Sequence, residues 1–218
     1  MQKGLLGGVL VVTLIAFLGL SDFVPRVYAS SYNRGAAASY ADQWAHARNS
    51  NYPNFGTGCN CNDCQNLASQ ALRAGGYPLH TGNYDPNSVF ELWYYWSSIW
   101  GWQNSKTWSA SDWFNTYVAQ YPGDFQVNRV TSGSQLSQGD FIAMDLDGNG
   151  APDHTRVIVG SGYTSTNQAD YTDGCGHNNS IPAKRFTVLV DQHCIDRWHV
   201  AWDYNIGSAG LWYINVTW

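Results

Sequence analysis

The spacing of apolar residues changes near Tyr121, and that change limits the fold more than any other feature. Ahead of it, Ala36, Tyr40, Trp44 and Ala47 recur at helical spacing, which predicts a helix over residues 31–48 with an aromatic stripe on the core. Asn49-Ser50-Asn51-Tyr52-Pro53 ends it. After a Gly/Asn/Cys loop a second helix opens at Cys64 and stops at Gly75-Gly76. A third is expected at residues 111–120, with Trp113, Phe114, Tyr117 and Val118 inward, and a short one at residues 88–96 inside the aromatic-rich stretch between Tyr77 and Trp108. Beyond Tyr121, short Val/Ile/Phe/Tyr runs alternate with Gly, Asn and Ser, and residues 141–144, 155–159, 185–190 and 211–216 read as strands. Helices first and strands afterwards predict an α+β domain with N-terminal helices packed on an antiparallel β-sheet.

The first 29 residues stand apart. Lys3, an apolar run from Gly4 to Leu20, a breaker cluster and the triplet Val27-Tyr28-Ala29 describe a secretory signal peptide, leaving residues 30–218 as one domain. An uncleaved membrane anchor is the alternative. Nothing later is apolar enough to span a membrane, so a secreted, extracellular or cell-wall protein is expected, and a monomer. The formal net charge is −5 and no Lys/Arg block occurs, which argues against nucleic acid as a partner. Trp and Tyr are abundant, with many between Trp93 and Tyr117; they form core, or line a groove for glycan.

Five cysteines follow the leader: Cys59, Cys61, Cys64, Cys175 and Cys194. In an oxidising compartment, two disulfides and one reactive thiol fit that odd count. A zinc site is the rival, because Cys59-x-Cys61-x-x-Cys64 and Cys175-x-His177 have ligand-like spacing. Cys64 opens a helix behind Asp63, where the helix N-terminus favours a thiolate and its N–H groups can hold an oxyanion. Asp63 works against the thiolate. By position alone, Cys64 is either a nucleophile or a disulfide partner.

The stretches YNRGAAASYADQWAHARNSNYPNF and NDCQNLASQALRAGGYP resemble the putative amidase domain family of the papain-like superfamily, which includes the NlpC-type and CHAP hydrolases. QGDFIAMDLDGNGAPDHTRVIVG and VLVDQHCIDR resemble that family's histidine segments. The resemblance implies a papain-like fold and a cysteine amidase or peptidase acting on an amide, with a peptidoglycan peptide as substrate. Cys64 would be the nucleophile, His154 the general base and His193 the residue orienting it, with Asp191 as a substitute for that last role. Leu67 and Gln65 depart from the family's usual Phe and Thr. A secreted glycan-binding module without catalysis is the alternative, and an acyltransferase using the same Cys–His chemistry a third possibility.

No cofactor is required by this chemistry. Ahead of His154, however, Asp145, Asp147, Asn149, Gly150 and Asp153 match positions 1, 3, 5, 6 and 9 of a calcium loop, while Arg156 stands where a bidentate Glu belongs. The segment is either a solvated turn or a structural calcium site, completed from elsewhere, that steadies the His154 strand.

Overall fold

The computed structural model describes residues 32–57, 60–61, 63–81, 92–99, 101–120, 127–131, 133–166, 183–194, 196–204 and 206–216. The expected leader, Cys59 and Cys175 lie outside them. No helix among the described residues is long and apolar enough to cross a membrane.

Four helices are described: α1 (Arg34–Trp44), α2 (Cys64–Ala74), the single-turn α3 (Lys106–Ser109) and α4 (Ser111–Gln120). Asn33 caps α1 by accepting the Ala36 N–H on its side chain at 2.9 Å. The inward face of α1 is not the expected aromatic stripe. Ala37, Ala38 and Ala41 are buried, whereas Tyr40 and Trp44 sit at the margin. Small side chains let α1 and α2 approach closely, and the Tyr40 hydroxyl donates to Gln70 Oε1 at 2.6 Å. Gly75 fits because the Tyr32 ring lies where a Cβ would be, 2.1 Å away, and Gly76 has φ +95°.

The strands are β1 (Gly56–Thr57), β2 (Asn60–Cys61), β3 (Tyr95–Ser98), β4 (Gly101–Asn104), β5 (Val127–Val130), β6 (Phe141–Asp145), β7 (His154–Tyr163), β8 (Phe186–Gln192), β9 (Arg197–Ala201) and β10 (Gly210–Val216). The last six form one antiparallel sheet in the order β5-β10-β6-β7-β8-β9. The chain is therefore α+β as expected. The helix expected at residues 88–96 is corrected where it is described: Tyr95 and Trp96 belong to β3, which pairs with β4, and Trp93 bridges His80. Stacking of Tyr95 on Trp102 and on Trp108 favours the extended pairing over a helix.

Side-chain alternation divides the sheet into two faces. Phe141, Ala143, Val157, Val159, Leu189 and Ile214 pack with α1, α2 and α4. Ile142, Met144, Ile158, Val190 and Val200 form a second cluster on the other face, covered by partly buried residues such as Leu136, Trp202 and Tyr213.

Candidate active site

The start of α2 is fixed by Asp63, which is fully buried. Asp63 occupies the N-cap position but makes no side-chain cap. Its Oδ1 instead accepts the Phe55 N–H at 3.1 Å and the Asn66 amide at 2.7 Å. Its Oδ2 lies 2.6 Å from both His193 Nδ1 and Arg48 Nε. Burial pushes this carboxyl up, but the His193 hydrogen bond and charge, followed by Asn66 and Arg48, hold it below the usual range. Arg48 also grips Asp196 at 2.8 and 2.9 Å, a two-pronged pair tying α1's exit to the strand end.

Cys64 sits in the first turn of α2 and is 4% exposed. Its Sγ lies 3.7 Å from Ser111 Oγ and 3.8 Å from the Asp153 carbonyl. Thr155 Oγ1 is 2.8 Å from both Ser111 Oγ and Gln65 Oε1. Donors can therefore run from the thiol through Ser111 and Thr155 to the Gln65 amide oxygen. That oxygen accepts a hydrogen bond but is no base, so the chain positions the thiol without deprotonating it. Burial pushes the Cys64 thiol up, while the Thr155 and Gln65 N–H groups and Ser111 act the other way. The thiol is neutral, and the gain expected from the helix N-terminus is outweighed by desolvation.

A cleft of about 550 Å³ opens at Cys64, with Lys106, Asp112, Trp113, Pro152 and Asp153 among its walls. Trp113, expected in the core, lines this cleft because α4 turns that side of itself outward; Lys106 Nζ lies 4.5 Å from the centre of its ring.

His154 does not meet the thiol. Thr155 reaches the helices, so its neighbours His154 and Arg156 face the other side of the sheet, as their partners Met144 and Ile142 do. There the His154 ring bonds Gln192, and its Nε2 is buried without a partner. Burial first, and then the Arg156 charge, push His154 down to about 3, so the ring is neutral. His193 lies on the helix face and cannot orient His154. Its Nδ1 meets Asp63 Oδ2 and its Nε2 meets the Trp44 carbonyl at 2.7 Å. Both nitrogens are engaged, by a carboxylate on one side and a carbonyl on the other, so neither is free to take the Cys64 proton. Asp191, the substitute for that role, also faces α1, where the His199 N–H donates to it at 2.6 Å. Gln192 is the group beside His154. It went unnoticed in the sequence, where only its position one residue before His193, on the opposite face, marks it.

The acidic loop forms a wall of the same cleft through Asn149, Ala151, Pro152 and Asp153. Asp145, Asp147 and Asp153 bring carboxylate oxygens within 4.8 Å of one another. Asp145 accepts N–H groups from Gly148, Asn149 and Gly150, and Asp153 accepts those of Leu146 and Asp147. Asn149 turns its amide to Asp147 at 3.0 Å. Arg156, at the twelfth position, points away to Gln192 at 2.6 Å.

A family model described as "Putative amidase domain" matches residues 31–214. The chain is also similar to "Uncharacterized protein YhbB" of Bacillus subtilis (strain 168), at 32% identity over 131 residues. That stretch is 60% of this chain and 38% of the relative, so the chain spans well under half of that protein. No solved structure matches.

Proposed function

Because this chain belongs to the "Putative amidase domain" family, we propose that it is a secreted cysteine hydrolase that cleaves an amide bond in peptidoglycan. The observation that carries this reading is the Cys64 thiol in the first turn of α2, beside a cleft large enough for a peptide. The mixed charge of the cleft, Lys106 against Asp112 and Asp153, suits a peptide bearing both signs, as cell-wall stem peptides do.

In the proposed cycle the thiol proton passes to His154 and the sulfur attacks the carbonyl carbon. The oxyanion is met by the Cys64 N–H, which has no acceptor inside the helix. The C–N bond then breaks, His154 returns the proton to the departing amine, and water hydrolyses the thioester with His154 again as base. This cycle requires the His154 ring to leave Gln192 and turn to the helix face when substrate enters. Calcium, if held by Asp145, Asp147, Asn149 and Asp153, would brace the cleft wall; it supplies no step. Cys194, whose sulfur accepts the Asp63 N–H at 3.1 Å, is in a disulfide, and we assign its partner to the remaining cysteines. Reduction of that bond would loosen the start of α2.

The test is turnover of peptidoglycan fragments, followed by mass spectrometry, for the wild type and Cys64→Ala. Loss of cleavage in a folded variant supports the reading, and comparable turnover sinks it. A second reading, a binding module without hydrolysis, is favoured by the neutral thiol and the His154 ring on the far face. It expects no turnover by the wild type and fragment binding that Cys64→Ala leaves unchanged.

A further inference from the structure

Away from the cleft, side chains from three elements meet on the helix face near the β9 edge of the sheet. Asp42 comes from α1, Asp191 from β8 and His199 from β9. One ligand-capable atom from each lies within 4.8 Å of the other two. His199 Nε2 is 2.6 Å from Asp42 Oδ1. Asp191 is fully buried, and its Oδ2 is shut off from water with no hydrogen-bond donor. The Asp42 carboxyl group faces it. Two carboxyl groups in contact, one of them removed from solvent, call for positive charge between them, either a proton or a metal cation.

We propose that Asp42, Asp191 and His199 form a binding site for a divalent transition-metal ion of the zinc type, separate from the amidase cleft. The donor chemistry favours this class. One imidazole nitrogen with two carboxylates suits zinc and its first-row neighbours, whereas calcium collects six to eight oxygens. Asp191 Oδ2 is the ligand shut off from water, and the Asp42 carboxyl group is the neighbour with which it would share the ion. Its Oδ1 accepts the His199 backbone N–H at 2.6 Å, which holds the carboxylate and the β9 ligand in one orientation, a second layer of support typical of metal ligands. The His199 ring is stacked on Trp198 with centroids 4.1 Å apart, which limits its rotation. Asp42 and His199 keep 38% and 27% of their side chains exposed, so water can complete the coordination from outside. An ion here would tie α1 to β8 and the edge strand β9.

The experiment is calorimetry and equilibrium dialysis of chelator-stripped mature protein against Zn²⁺ at neutral pH. One bound equivalent and a raised Tm are expected. Asp42→Asn and His199→Gln should each weaken that binding by about tenfold or more, while Asp145→Asn, in the other acidic cluster, leaves it unchanged. Co²⁺ in place of Zn²⁺ should give visible d–d bands without a thiolate charge-transfer band, which separates this site from the cysteines. That spectrum, taken on the wild type, decides even if a variant fails to fold. No metal uptake, uptake indifferent to Asp42→Asn and His199→Gln, or a thiolate band would overturn the proposal and leave a shared proton between the carboxyl groups.

Discussion

On the helix-covered face of the sheet, Thr155, Asp191 and His193 look toward α1 and α2; on the loop-covered face, His154, Arg156 and Gln192 look away from them. On the first face Asp63 lies between His193 and Arg48, and Arg48 also meets Asp196. The second gives the buried Arg156 neutral acceptors, Gln192 Oε1 at 2.6 Å and the Trp202 carbonyl at 3.0 Å. It also has an apolar cavity of about 360 Å³ lined by Leu136, Ile142, Ile158 and Tyr213. The difference shows how one residue of strand alternation separates chemistry that is adjacent in the chain. Asp153 and Thr155 touch the Cys64 environment, and the residue between them faces elsewhere.

The largest effects test whether that separation persists during turnover. Cys64→Ala should lower kcat by about 10³-fold or more, with a circular dichroism spectrum like the wild type's. If the His154 ring crosses to the thiol, His154→Ala should cost a similar factor; a loss of only a few-fold would confine the chemistry to the helix face. Next comes the helix face's own charge network. Asp63→Ala leaves the buried His193 ring and the Arg48 guanidinium without their shared carboxylate, and should cost roughly 3–5 kcal/mol in urea unfolding. A cost below about 1 kcal/mol would mean that Arg48 and His193 find other partners. Smaller again is Thr155→Val, which removes the hydroxyl between Ser111 and Gln65 and should cost about 1–3 kcal/mol. It should also change the rate of thiol alkylation at Cys64, because Ser111 loses its neighbour.

The sequence carried the scaffold better than the site. The third helix lies at 111–120 as its pattern indicated; β6, β7 and β10 contain the runs read as strands, and β8 overlaps the run at 185–190 from Phe186 onward. Helix periodicity and β-branched runs are local signals, and local signals survive packing. Strands β5 and β9 escaped notice because Val127–Val130 and Arg197–Ala201 mix charged residues into short segments. The cysteine at the start of a helix was legible for the same local reason. The histidine pairing was not. A resemblance places His154 and His193 in order along the chain, but which face each takes depends on strand register, and period-two alternation read from Thr155 or Val157 would have separated them. Asp42, Asp191 and His199 come from distant segments and share no spacing to read.

The smallest expected effect bears on the loop-covered face alone and concerns acid stability. Burial and the Arg156 charge put His154 at about 3 in the folded protein, below its ordinary value of 6.5. Between those values the unfolded chain binds more protons than the folded one, so stability rises with pH and is lost as pH falls. The contribution is complete above 6.5, and from pH 7 to 6 the loss should stay under about 1 kcal/mol, steepening below that. His46, also lowered by burial, acts in the same direction, so the informative quantity is the difference between the wild type and His154→Gln, which cannot titrate there. The expected result is a shallower fall in urea midpoint for the variant over pH 7 to 6. Parallel curves would mean that His154 is already exposed to water or paired with an acid, and in that case its ring has left the loop-covered face before any substrate arrives.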